Sequence, residues 1–405
     1  MATVGPASSD RETLKSLIEH GLKQGSVFLR SGDEFTFIND AKDETIGDET
    51  KVKLCFERRN IKPGDKIYVD DGLLAFTIES ISDDFKIIKC RVCNNGYLGE
   101  NKGVNLPGLI PTEYSSLRNK DVQDIKFAIE NQVEFITVSC IRSSDDVMEV
   151  RKLVGNSRIK LLSKIENKEG LVNFESILRI SDVDVQIVSL KQKEIISRCN
   201  LVGKPIFIAN HVLETLCDQK MPLRSESSDI TSAVMDGVDG FVLSGETASG
   251  LYPIDAVDWL VKICTEVESY IDYNEVFLDT LRCVEKPIGV SESIASSAVK
   301  CAREVNASCI IVITEAGGTA RLVSKYRSAL NVIAITMDRK TAHQLNSSFG
   351  IRPYHYDSLV DENKSILKAA MHFAISIGVA REGDLVVITQ GQVQGFAEGT
   401  TTTMQ

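Results

Sequence analysis

The sequence has no apolar run long enough to cross a membrane: its longest, such as Cys309 to Ile313 and Leu385 to Ile388, are strand-sized, against the roughly 20 residues a helical span needs. It also lacks a basic excess. Asp and Glu number 57 against 46 Lys and Arg, a formal net charge of -11, so neither nucleic acid nor an anionic membrane surface is an expected partner. The opening Met1-Ala2-Thr3-Val4-Gly5-Pro6 has neither the basic stretch nor the apolar core of a secretory leader. Together these absences lead to the expectation of a soluble, cytoplasmic protein. The ten cysteines show no paired framework. Cys55, Cys140, Cys199, Cys264, Cys301 and Cys309 sit in apolar surroundings and read as buried, reduced thiols. Cys90 and Cys93 form a C-x-x-C, but no second pair follows to complete a zinc site. No repeat or low-complexity tract is present apart from Thr400 to Thr403, which reads as a mobile tail.

What is present is a chain of 405 residues, 43% apolar, enough for two or three domains. Ser9 and Glu12 have capping-box spacing, and Leu14, Leu17, Ile18 and Leu22 then share a helical face, so a short strand and a helix are expected at the start. From Val27 to Pro111 short alternating runs (Val52 to Phe56, Lys66 to Val69, Leu73 to Ile78, Lys86 to Val92) are punctuated by turn pieces such as Lys62-Pro63-Gly64-Asp65 and Asp70-Asp71-Gly72, the pattern of a small all-β domain. After Thr112 helix and strand alternate: a helix from Asp121, strand Phe135 to Cys140, helix Asp145 to Val154, strand Lys160 to Ile165, then strands at Pro205 to Ala209 and Gly240 to Leu243. Such alternation implies parallel strands in a barrel or an open sheet. A third β-α block begins near Gly289, with helix Ser291 to Val305, strands Cys309 to Ile313 and Val332 to Thr336, helix Asp361 to Ile377 and strand Asp384 to Thr389. The expected division is 1–26 and 112–280 for the barrel, 27–111 for the β domain and 281–405 for the C-terminal domain.

Several stretches occur in a telling order: Thr3-Val4-Gly5-Pro6-Ala7-Ser8; Asp70-Asp71-Gly72; Lys102-Gly103-Val104-Asn105-Leu106-Pro107-Gly108; Ser163-Lys164-Ile165-Glu166-Asn167-Lys168-Glu169-Gly170; Arg198-Cys199-Asn200 with Gly203-Lys204-Pro205; and Leu243-Ser244-Gly245-Glu246-Thr247-Ala248 with Gly250, Tyr252 and Pro253. As a set they resemble pyruvate kinase over almost the whole chain. The resemblance implies an α/β protein with a (β/α)8 TIM-type barrel, a small β-barrel lid domain inserted after its third strand, and a C-terminal α/β domain carrying an effector site. Members are typically tetramers. Active members transfer phosphoryl from phosphoenolpyruvate to ADP with Mg²⁺ and usually K⁺.

Phosphoryl transfer is largely positioning and charge stabilisation, so it needs cations around the moving group and carboxylates on the metal. By resemblance Lys164, at the C-terminal end of its strand, matches the transfer lysine, and Glu166 matches one of two metal acids; on spacing alone the two would read as a surface ion pair. The rest departs from the family. The Met-Val-Ala-Arg-Gly-Asp-Leu-Gly loop that would bring the second acid is replaced by Ile180-Ser181-Asp182-Val183-Asp184 running into Val185-Gln186-Ile187-Val188-Ser189-Leu190-Lys191, leaving Asp182 or Asp184 as the remaining candidates. Asn210-His211 stand where a Thr-Gln pair would contact substrate. After Leu22 the strands with Asn-Phe-Ser-His-Gly and Asp-Thr-Lys-Gly-Pro-Glu-Ile-Arg have no counterpart, so two barrel strands, the K⁺ site, a substrate arginine and part of the nucleotide site are expected to be missing. The barrel is then incomplete, and its Mg²⁺ site lacks an acid.

In the C-terminal block, Thr314-Glu315-Ala316-Gly317-Gly318-Thr319 has the placement of the family's sugar-phosphate loop. Thr314, Gly317, Gly318 and Thr319 are its candidate phosphate contacts; the alternative is an ordinary helix start, because Glu315 opposes an anion and the final loop supplies Glu398 without an arginine. These readings imply a catalytically impaired or inactive paralogue, a structural or regulatory subunit assembling with active pyruvate kinase or with itself. The competing readings are an active enzyme with a remodelled site and a metabolite sensor.

Overall fold

The computed structural model describes residues 26–39, 48, 50–53, 61–70, 72–99, 103–106, 117, 119–186, 191–357, 365–391 and 401–404. The strand and helix expected over residues 1–22 lie outside these, as do Cys55 and Glu398. The described residues up to 106 form one compact unit and those from 117 onward another.

The first unit is all-β. Its strands are β1 (Ser26–Leu29), β2 (Glu34–Ile38), β3 (Lys51–Lys53), β4 (Lys66–Val69), β5 (Leu74–Ile81), β6 (Ile87–Val92), β7 (Gly96–Gly99) and β8 (Val104–Asn105). They form a sheet in the order β3-β2-β6-β5-β4-β8 and a β1-β7 ribbon. The period-two pattern explains the packing: along β6, Ile88, Cys90 and Val92 are buried while Ile87, Lys89 and Arg91 face water. Phe35, Phe37 and Phe76 close the centre in mutual ring contacts 5.0–5.4 Å apart. Cys90 belongs to this core and Cys93 is exposed, so the C-x-x-C straddles the strand end.

The second unit begins with α1 (Asn119–Glu130), followed by β9 (Phe135–Val138), α2 (Ser144–Val154), β10 (Lys160–Ile165), α3 (Lys168–Val172), α4 (Phe174–Ile180), β11 (Val183–Gln186), α5 (Gln192–Val202), β12 (Ile206–Ala209), α6 (Arg224–Asp236), β13 (Gly240–Val242), α7 (Gly245–Ala248) and α8 (Pro253–Glu268). The five strands are all parallel, and their spatial order is their chain order. Each crossover therefore steps the same way, as in a barrel wall. A closed (β/α)8 wall needs eight strands, so this sheet is a curled half-barrel, as the missing motifs imply. The helices bury Val147, Val150, Ile177, Ile196, Cys199 and Ile230 against one face; Leu162, Val183, Phe207 and Ala209 pack on the other. α2 starts with a full capping box: Ser143 Oγ accepts from Asp146 N, and Asp146 Oδ2 accepts from Ser143 N at 3.1 Å.

After α9 (Tyr273–Cys283) come α10 (Val290–Glu304), β14 (Cys309–Ile313), α11 (Gly318–Lys325), β15 (Asn331–Thr336), α12 (Arg339–Leu345), β16 (Ile351–His355), α13 (Ile366–Ser376), β17 (Val386–Gly391) and β18 (Thr401–Met404). Here the order is β16-β15-β14-β17-β18. β14 and β15 are buried on both faces, consistent with their unbroken apolar runs. The end of the chain is not the free tail expected from its composition: Thr401–Met404 pairs antiparallel with β17, because the backbone of an edge strand offers hydrogen bonds whatever the side chains. The thiols also divide differently from expectation. Cys199 and Cys309 are buried, but Cys140 is exposed and Cys264 and Cys301 are half-buried. Among the described residues no helix is long and apolar enough to cross a membrane.

Candidate active site

Lys164 lies near the C-terminal end of β10 and Glu166 directly follows the strand, so alternation brings both side chains to one side. Lys164 Nζ stands 2.7 Å from Glu166 Oε1, and the two side chains are 18% and 16% exposed. The second carboxylate oxygen, Oε2, accepts the backbone N–H of Cys140 at 2.7 Å. Cys140 leaves the C-terminal end of the neighbouring β9 with φ 57°, a conformation a non-glycine residue adopts only when its surroundings hold it there. Desolvation of its thiol, and then the Glu166 charge, push Cys140 up to about 11, which leaves it a protonated, unreactive thiol at neutral pH.

The turn that carries this pair is pinned by the residues after it. Asn167 caps α3, accepting from Gly170 N at 2.7 Å, and its amide donates to Ile141 O at 3.3 Å. Gly170 is required by packing: a Cβ there would lie 2.6 Å from Ile141 O. Below the pair, Ser163 and Ser181 share a buried hydrogen bond of 2.6 Å that ties β10 to the start of β11.

Asp182 does not join them. It precedes β11 at the opposite, N-terminal end of the sheet, where Oδ2 accepts from Leu161 N at 2.9 Å and the carboxylate pairs with Arg151 at 2.8 Å and Lys160 at 3.2 Å. Burial alone would raise its pKa; the Leu161 N–H and the two cations outweigh that and hold it below the usual carboxylate range. Asp184 lies within β11, in register with Ser163 on one side and Ile206 on the other. Mg²⁺ demands near-octahedral oxygen coordination through one or two carboxylates. Glu166 is committed to Lys164 and Cys140 N, and Asp182 is a strand's length away, so the described residues do not fit a Mg²⁺ site.

Asn210 and His211, at the end of β12, both have positive φ, 65° and 50°. His211 Nδ1 is 3.7 Å from Glu214 Oε2 and half exposed, which makes it a turn residue. The acids that sequence reasoning left without a role prove to be braces. Glu246 is buried and accepts from Leu213 N at 3.0 Å and Ser244 N at 2.7 Å, joining the loops after β12 and β13. Glu226 accepts from Thr215 N and Oγ1 and from Leu223 N. The one signal for Glu246 was its place inside Ser244-Gly245-Glu246-Thr247.

In the C-terminal domain, Gly317 has φ 82° immediately before α11, and a Cβ there would approach Leu345 Cδ2 to 2.8 Å. Its N–H is already taken by the buried Thr314 Oγ1 at 3.1 Å. Thr336 Oγ1 donates to Glu315 O at 2.9 Å, and the Glu315 side chain is exposed beside the exposed Gly318, with Thr319 half-buried. The loop thus consumes one of its candidate phosphate donors internally and presents an acid next to the others.

The pattern of the pyruvate kinase barrel domain matches residues 22–257, and that of the pyruvate kinase alpha/beta domain matches residues 292–405. The pyruvate kinase of Dictyostelium discoideum is 40% identical over 353 residues, which cover 83% of this chain and 69% of that protein. The pyruvate kinase of Clostridium acetobutylicum is 36% identical over 390 residues, 92% of this chain and 80% of the relative. The cytosolic pyruvate kinase isozyme of Solanum tuberosum is 34% identical over 397 residues, 89% and 77% of the two chains. With the half-barrel, the C-terminal sheet and the ordered motifs, these matches place the chain in the pyruvate kinase family.

Proposed function

We propose that this protein is a pyruvate kinase family member without phosphoryl-transfer activity of its own, acting in the cytoplasm as a structural or regulatory subunit of glycolytic pyruvate kinase, in a hetero-oligomer with an active chain or in a homo-oligomer. The observation that carries the reading is the closed state of the Lys164–Glu166 pair: the ammonium that would meet the transferred phosphoryl is held by the carboxylate that would hold the metal, at 2.7 Å. Of the two candidate second acids, Asp182 is committed at the other end of the sheet. If each interaction that the absent strands would supply is worth ~2 to 4 kcal/mol of transition-state stabilisation, doing without several of them lowers the rate by many orders of magnitude. Lys164 cannot compensate alone.

The test is phosphoryl transfer from phosphoenolpyruvate to ADP by the purified chain, alone and mixed with the active pyruvate kinase of the same organism, with mass in solution followed in parallel. No turnover alone, with a mixed or self-assembled oligomer, is the expected result. Turnover that Lys164→Ala abolishes would replace this reading with that of an active enzyme built on a remodelled site.

A further inference from the structure

Helix α8 is apolar on two faces and covered on one. Towards the sheet, Ala256 and Val267 are buried, and Trp259, Leu260 and Ile263 pack against the half-barrel core. On the outward side Ile254, Val257 and Val261 recur at helical spacing and are 75%, 39% and 57% exposed, with Leu251 just ahead of the helix at 55%. A groove of about 340 Å³ runs beside this row, walled by Leu260, Val261, Cys264 and Thr265 of α8 and by Val234 and Met235 of α6. Single exposed apolar side chains are ordinary on a surface. A contiguous ridge with a groove alongside is the shape against which another helix packs.

The charges beside the row indicate which helix that is. Asp258 and Lys262 are both exposed, and their spacing puts them one turn apart on the flank of the ridge away from the groove. Lys262 Nζ lies over the Trp259 ring, 5.4 Å from its centre, and among the described residues no ion pair joins it to Asp258. Two copies of α8 laid antiparallel about a twofold axis level with Leu260 bring each Asp258 opposite the partner's Lys262. The same axis sets the two Val261 side chains together at the centre. It also lays the Ile254–Val257 end of each ridge along the Cys264–Thr265 wall of the partner's groove. A face that carries its own complement in shape and charge fits a second copy of this chain. We propose that the outward face of α8 is an isologous interface through which two copies pair, with Val261 at its centre and contacts between Asp258 and Lys262 at its border. The inference rests on the subunit role proposed above and names a contact surface for it.

Sedimentation equilibrium of the purified full chain should give twice the mass of one chain. Val261→Asp should weaken the pairing by about 100-fold in Kd, because it places a charge at the desolvated centre, while its circular dichroism stays that of the parent. Asp258→Lys and Lys262→Asp should each weaken it by about tenfold, since like charges then face each other across the axis. An equimolar mixture of these two variants should pair again, each acid meeting a base. A parent of single-chain mass overturns the proposal, and so does a dimer that Val261→Asp leaves intact or a mixture that pairs no better than its components. A chain that is monomeric alone and joins the active pyruvate kinase of the same organism through an intact Val261 overturns the second copy and leaves the subunit role standing. Failure of that role is read separately, as turnover of phosphoenolpyruvate by a chain that still dimerises through Val261.

Discussion

The half-barrel and the C-terminal domain each carry a five-stranded sheet made mostly of β-α units, and the two differ in strand order. In the half-barrel the order follows the chain, every step goes in one direction, and β9 and β13 are left as outer strands. In the C-terminal domain the chain starts in the middle at β14, proceeds through β15 to β16, and returns on the other side with β17 and β18. That reversal lets helices cover both faces, and the two apolar clusters there bear this out: Ala298, Val312 and Val323 belong to one, Ile311, Ile333 and Ala370 to the other. A doubly wound sheet is finished at five strands; a barrel wall is finished only at closure. A barrel wall short of closure therefore leaves edges to cover, whereas the C-terminal fold can stand complete beside it.

The largest expected effect tests whether the two sheets stand or fall together. Asp239→Ala deletes the partner of Arg327 and the acceptor for Ile206 N and Phe349 N, in a pair whose side chains are only 6% and 4% exposed. Removing one partner of such a buried pair is expected to cost about 3–5 kcal/mol and to split denaturant unfolding into two transitions. A single, unshifted transition would show that the half-barrel does not depend on its neighbour.

Next in size is a perturbation confined to the half-barrel. Asp182→Asn should cost roughly 1–3 kcal/mol at pH 7 through its hydrogen bond to Leu161 and its two cations. Because the folded pKa of Asp182 is depressed, its contribution is fully present above the unfolded value and fades as pH falls through the folded one. Parent and variant stabilities should therefore diverge at neutral pH and converge on acidification. Parallel curves from pH 7 to pH 3 would contradict this account of Asp182.

The smallest effect isolates the C-terminal domain. Gly317→Ala places a side chain at φ 82° and against Leu345 Cδ2, at an expected cost of about 1–2 kcal/mol. That methyl is the tip of a flexible side chain and can shift. Hydrogen exchange should show the loss in α11 and α12 while β9 to β13 stay protected; exchange spreading equally through both sheets would erase the distinction drawn between them.

Much of the site was legible because it is local. Two residues apart at a strand end, Lys164 and Glu166 must emerge together. Asp182 was not legible in the same way, since nothing local says which end of a sheet an acid will reach. Its position depends on the pairing of β10 with β11, with Asp182 N bonded to Leu161 O at 3.1 Å. The same holds for Thr314, whose hydroxyl consumes the Gly317 N–H, and for Thr401–Met404, whose partner strand is fixed by backbone pairing and not by composition.

By itself the sequence determined the β-α alternation and the emergence of Lys164 and Glu166 on one side of a strand end, which rest on periodicity, turn chemistry and short-range spacing, while the family followed from resemblance in its ordered motifs. The tertiary structure alone decided that Glu166 is bound to Cys140 N, that Asp182 and Glu246 brace neighbouring backbone, and that Asp239 and Arg327 join the half-barrel to the C-terminal domain. Those roles depend on which strands and loops come together across tens of residues, and a buried carboxylate takes its function from the donors that reach it.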